Sequence, residues 1–102
     1  MVNMMKMMKQ AAAMQESLGR VQAELAERIV EFSSGGGMVT VTAKGDGTLV
    51  SIRIDPKLVD PSDVDMLQDT VLAAVNGAIQ SSKDMAAKEM SKLTAGLGIP
   101  GL

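Results

Sequence analysis

Residues 28–54 read RIVEFSSGGGMVTVTAKGDGTLVSIRI, and the alternation within this stretch decides the fold. From Arg28 the apolar period is two: Val30 and Phe32 share one face of a strand and Glu31 takes the other. Ser33 to Gly37 form a loop. Val39, Val41 and Ala43 then alternate with Thr40 and Thr42, the pattern of a half-buried strand. Gly45-Asp46-Gly47 supplies the positive-φ positions that a tight hairpin turn needs. Beyond it Val50, Ile52 and Ile54 alternate with Ser51 and Arg53. Three short strands with glycine-containing links predict an antiparallel meander. One face is Val/Ile-rich and the other carries Thr, Ser, Arg and Glu.

Upstream of Arg28 the period is 3.5 residues, not two. Met4, Met7, Ala11, Met14, Leu18, Val21 and Leu25 recur at alternating spacings of three and four, a heptad seam on one helix over residues 1–27. Met5 and Met8 widen the stripe at its start. Two readings of the seam are compatible: a surface for a partner helix, centred on Met4, Met7, Met14 and Leu18, or the core face of an amphipathic helix.

Downstream, Asp55-Pro56 and Asp60-Pro61 each place an N-cap acceptor before a proline suited to the first helical position. The first predicts one turn over Lys57 to Val59. The second predicts the start of a long helix, with Asp60 and Asp63 spaced as in a capping box. Leu67, Val71, Leu72, Val75, Ala78 and Ile79 are dense enough to cover a sheet face. The pattern then thins towards Leu93, and the glycine-rich residues 94–102 are expected to form a flexible tail. Residues 1–102 thus form one domain of the α+β class, in the order α-β-β-β-α.

Lengths set the architecture. At 1.5 Å per residue the first helix is about 36 Å long and the last about 48 Å, whereas strands of this size cover about 20 Å. Both helices must protrude, and their overhanging parts, up to about residue 14 and from about residue 80, carry methionine stripes with no sheet beneath them. A three-stranded sheet also has two open edges. A tweezer-like homodimer with helical arms resolves both problems.

Composition narrows the chemistry. The 102 residues contain no Cys, His, Trp or Tyr, and Phe32 is the one aromatic. Thiolate and imidazole ligands, the commonest general base and an aromatic stacking platform are therefore all missing. Ser33 to Gly37 lack the lysine and the strand-to-helix setting of a phosphate loop. Asp60, Asp63, Asp65 and Asp69 lack the glycine and closing glutamate of a calcium loop and fit a helix start better. Ser81-Ser82-Lys83 has no base arrangement to activate a nucleophile. No enzyme, metal or cofactor is expected, and no small-molecule substrate. No apolar run is long enough for a membrane span, and the lysines in MVNMMKMMKQ interrupt any signal-like stretch, so cytoplasmic residence is expected.

The charge is uneven although its net value is −2. Residues 1–23 carry +2 and residues 83–102 carry +1, whereas residues 55–82 carry −4. The positive excess therefore sits on the two overhangs, as Lys6 and Lys9 on one and Lys83, Lys88 and Lys92 on the other. In a dimer these amines form a plausible phosphate clamp.

Several stretches resemble the YbaB/EbfC family of bacterial nucleoid-associated proteins. They are Met4-Met5-Lys6 with Met8-Lys9-Gln10, Glu31 with Ser33-Ser34-Gly35-Gly36-Gly37, Ile54-Asp55-Pro56 with Leu58-Val59-Asp60-Pro61, and Leu93-Thr94-Ala95-Gly96-Leu97-Gly98-Ile99-Pro100-Gly101. The resemblance implies a homodimer whose sheets associate and whose helices protrude, binding double-stranded DNA in the nucleoid without catalysis or cofactor. It carries Lys6 and Lys9 over as DNA contacts; Lys83, Lys88 and Lys92 follow from charge alone. Phe32 stands where the resemblance leads one to expect a small residue. Without aromatic wedges or a base-reading helix, contact should be mainly to phosphate, with a role in nucleoid organisation and gene regulation. The rival expectation is a protein–protein adaptor that docks partner helices on its methionine-rich seam.

Overall fold

The computed structural model describes residues 3–96. The side-chain oxygen of Asn3 accepts from the Lys6 amide at 3.1 Å and caps helix α1, Met4–Glu27. Strands β1 (Ile29–Ser34), β2 (Val39–Lys44) and β3 (Leu49–Ile54) follow. They pair antiparallel in the order β1-β2-β3. A short 3₁₀ turn, Pro56–Leu58, leads to helix α2, Val64–Gly96. The α-β-β-β-α order read from the sequence is the one observed.

Several boundaries differ, each for a local reason. Ser33 and Ser34 belong to β1, where Ser33 pairs with Thr40 and their hydroxyls hydrogen-bond at 2.9 Å. The loop therefore shrinks to residues 35–38, in which three successive glycines take positive φ (63°, 66° and 90°). Asp55 caps its turn as expected, accepting from the Lys57 amide. Asp60 does not start α2: its carboxylate accepts from the amide and hydroxyl of Ser62 and closes a turn. Asp63 takes the cap, accepting from the Met66 amide at 3.2 Å. The last helix runs on to Gly96, three residues past the expected end; residues 97–102 of the expected tail lie outside the described residues.

The core is small. Val39, Val41 and Ala43 of β2 and Ala74 and Ala78 of α2 are fully buried, with Val30, Leu58, Val71 and Val75 packed around them. Helix α2 lies over β1 and β2. Its cover of the sheet face stops short of β3, which is exposed along its entire length. A bulge between Thr42 and Ala43 sets Leu49 opposite Ala43 and leaves Val50 as the extra residue. The polar face is as read, with Glu31 near both Thr42 and Arg53.

Two oddities of the sequence are one feature of the structure. Gly77 interrupts a helix, and Phe32 is a large residue where a small one was expected. A Cβ on Gly77 would run into the Phe32 ring, so the missing side chain is the space the ring occupies. Gly77→Ala should therefore destabilise the protein by about 1–3 kcal/mol through overpacking. In a Phe32→Val background the same change should instead stabilise by up to about 1 kcal/mol, the helix-propensity gain of alanine. Denaturant unfolding of the four proteins of this cycle checks the reversal of sign.

Candidate nucleic-acid interface

The shape of the chain is dominated by its helices. It measures 76 × 23 × 15 Å with a radius of gyration of 20.1 Å, against about 13 Å for a compact domain of this length. Attachment of α1 to the rest is concentrated at its carboxyl end. Leu25 is buried, the Arg28 carbonyl accepts from the Gly45 amide at 2.8 Å, and Glu27 pairs with Lys44 at 3.1 Å. Val21, Leu25 and Arg28 share a cleft of about 530 Å³ with Glu89, Lys92 and Leu93 of α2. The two helices run antiparallel there, so the amino-terminal half of α1 points the same way as the end of α2.

Lys6 and Lys9 sit on that half, exposed and without an ion pair among the described residues. Three residues apart on a helix, they lie on one side of it. Lys9 is 12 residues before Val21, which puts it about 18 Å further out than the cleft. One chain therefore does not bring Lys6 and Lys9 together with the lysines of α2.

Those of α2 divide. Lys83 and Lys88 are exposed and unpaired among the described residues. Lys92 meets Glu89 at 3.5 Å, and Glu89 also meets Arg28 at 3.3 Å. Partial desolvation raises the Glu89 carboxyl, but Lys92 and then Arg28 outweigh it and hold the group below its ordinary range. Two cations share one carboxylate, and Glu24 lines the same cleft, so the charges there balance. Arg28 thus belongs to the ion-pair cluster at the joint, a residue that sequence reasoning had placed only at a strand boundary. Its position at the joint of α1 was the available clue.

Ser82, beside Lys83, has a structural task. Its hydroxyl is buried and donates to the Lys44 carbonyl at 2.6 Å, tying α2 to the end of β2. Ser82→Ala should cost about 0.5–1.5 kcal/mol, the net worth of one hydrogen bond, because the Gly47 amide still donates to the Lys44 carbonyl at 2.9 Å; thermal unfolding would read it.

The helix seam also divides. Its carboxyl-terminal part packs into the fold at Leu25. Met4 and Met7 are 72% and 55% exposed, and Met14 and Leu18 are half-buried. The core-face reading therefore holds at the carboxyl-terminal part of the helix, and the amino-terminal part of the seam is left exposed.

A second apolar surface lies elsewhere. Ile52 and Ile54 of β3 are 45% and 39% exposed, and Leu72 of α2 is 59% exposed. Between them a groove of about 430 Å³ is lined by Ile54, Leu67, Val71, Leu72 and Val75. It adjoins the unpaired edge of β3. The sequence pattern gave no sign of this surface, because its alternation looks the same whether or not a helix covers the strand.

Residues 1–97 match the YbaB/EbfC DNA-binding family. The chain belongs to that family. Among its relatives is a nucleoid-associated protein of Moorella thermoacetica, 55% identical over 99% of this chain and 97% of its own length. Another, from Pelotomaculum thermopropionicum, is 53% identical over 98% of this chain and 95% of its own. An uncharacterized Helicobacter pylori protein, HP0035, shares the fold, with a TM-score of 0.75 at 21% identity over 92% of this chain and 99% of that one. For this YbaB/EbfC member the described residues contain no helix long and apolar enough to cross a membrane.

Proposed function

We propose that this chain binds double-stranded DNA in the cytoplasmic nucleoid as a homodimer, gripping phosphates with the lysines of its projecting helices, and so takes part in nucleoid organisation and gene regulation. The observation that carries the reading is the pair of unpaired lysines, Lys6 and Lys9, on the free end of α1 in a member of a DNA-binding family. Lys83, Lys88 and Lys92 supply the second basic group. The named relatives are nucleoid-associated proteins. Lysines act here as point charges, and no aromatic wedge is available among these residues, so sequence preference should be weak.

The dimer supports the clamp, because one chain separates its two basic groups. Its favoured surface is the open edge of β3 with the exposed Ile52, Ile54 and Leu72, since an unpaired apolar edge strand calls for a partner. Ile52→Lys should convert the dimer to a monomer, read by light scattering, while leaving the buried core untouched.

A mobility-shift titration across salt tests the function. Binding that weakens steeply with salt supports the phosphate clamp, and an affinity independent of salt overturns it. The adaptor reading is favoured by the exposure of Met4, Met5, Met7 and Met8. A chain acting that way would bind no DNA at moderate salt.

A further inference from the structure

The exposed methionines of the amino-terminal half of α1 and the exposed Ile52, Ile54 and Leu72 of the β3 face are separate apolar surfaces on different elements. We infer that α1 of one copy pairs antiparallel with α1 of another, joining dimers through their arms. This goes beyond DNA binding and does not depend on it.

The occupant is argued from the helix itself. With Met4 as position a, the a and d positions are Met4, Met7, Ala11, Met14 and Leu18, and the flanking e and g positions are Met8, Gln10, Gln15 and Ser17. None of these is charged. Every charge between Met4 and Arg20, namely Lys6, Lys9, Glu16 and Arg20, falls at c or f, on the outer side. An arm pair therefore buries no charge and keeps Lys6 and Lys9 outside it.

Residue volumes choose the direction. Parallel arms would set Ala11 against Ala11 and leave a void, and would bring all the amino-terminal lysines to one end. Antiparallel arms set Met7 against Leu18 and Ala11 against Met14, so that the one small seam residue faces a large one. They also move the two Lys6–Lys9 groups to opposite ends.

Gln10, Ala11, Ala13, Met14 and Ser17 line a shallow concavity of about 560 Å³ on the g side of the seam, at its border. The free strip, Met4 to Leu18, is about 22 Å long and roughly 10 Å wide, smaller than the roughly 800 Å² per partner of a standard stable interface. Pairing is accordingly weak and grows with concentration.

The absence of cysteine from the chain permits a clean test. A mixture of full-length Met7→Cys and Leu18→Cys proteins is oxidised at increasing concentration, with Ala12→Cys on the outer face as baseline. Mixed 7–18 disulfides several-fold above baseline are expected, falling to baseline when both proteins also carry Ala11→Glu. Dominant 7–7 disulfides, or yields at baseline throughout, overturn the antiparallel arm pair; the latter would leave the seam to a foreign helix. The mixed disulfide must persist in an Ile52→Lys background, and its disappearance there would trace it to the sheet dimer and overturn the inference. If Ile52→Lys leaves the assembly state unchanged, it is the sheet-dimer reading that fails, independently of the arms.

Discussion

Replacing both Lys6 and Lys9 by glutamate should remove a large part of the salt sensitivity of DNA binding together with much of the affinity. A dimer presents four of these amines. With about 0.9 of log–log slope per phosphate neutralised, they account for a slope of about 3.6. Between 50 and 200 mM salt that corresponds to about a hundredfold of the affinity lost by the unaltered protein. The double variant should show a shallower slope by that amount and weaker binding at low salt, whereas Lys6→Arg with Lys9→Arg should bind nearly as the parent does. Both positions are exposed helix surface with no ion pair among the described residues, so folding and dimerisation should be unaffected. Circular dichroism and light scattering serve as the check. Intact binding by the glutamate variant would mean that the arms are not the contact surface.

Gly45→Ala should produce the largest loss of stability of the glycine-to-alanine changes at Gly19, Gly35, Gly36, Gly37, Gly45, Gly47 and Gly77. A Cβ on Gly45 would collide with the Leu25 backbone carbonyl, and the Met85 side chain closes the space at 3.1 Å. Neither side can yield cheaply: Gly45 is held by its amide hydrogen bond to the Arg28 carbonyl, and Leu25 is one of the few buried residues of α1. Overpacking between backbone atoms costs on the order of 3 kcal/mol or more. At about 4–8 °C per kcal/mol for a domain of this size, the midpoint should fall by more than about 10 °C. The strain can also be relieved by release of α1 from its joint. Small-angle scattering would show this as a changed radius of gyration while the sheet remains folded. A midpoint within a few degrees of the parent, with unchanged dimensions, would mean that the joint is looser than its geometry indicates.

Glycine 45 illustrates how far the sequence could be read. Gly45-Asp46-Gly47 marked a hairpin turn, and a hairpin turn is present, but only Gly47 uses a positive φ, of 87°. The absence of a side chain at Gly45 answers a neighbour 20 positions away in the chain. Gly77 and Phe32 are a second case. Each was odd in its own segment, and the reason appeared only once α2 lay across β1.

The element order, the two helical projections and the polar sheet face were legible because each rests on local periodicity: 3.5 in α1, two in the strands, with prolines and aspartates at the joints. Lys6 and Lys9 were legible for the same reason, since an overhanging helix exposes whatever its polar positions carry. What the sequence could not determine was which apolar positions are covered. Val41 and Ile52 stand opposite one another in neighbouring strands, alike in type, yet one is fully buried and the other 45% exposed. The difference lies in the placement of α2 over β1 and β2, a long-range packing choice that alternation along a strand does not encode. The same choice created the β3 face, brought Arg28 to Glu89 and separated the two groups of lysines, so the tertiary structure decided which surfaces remain available to a second molecule.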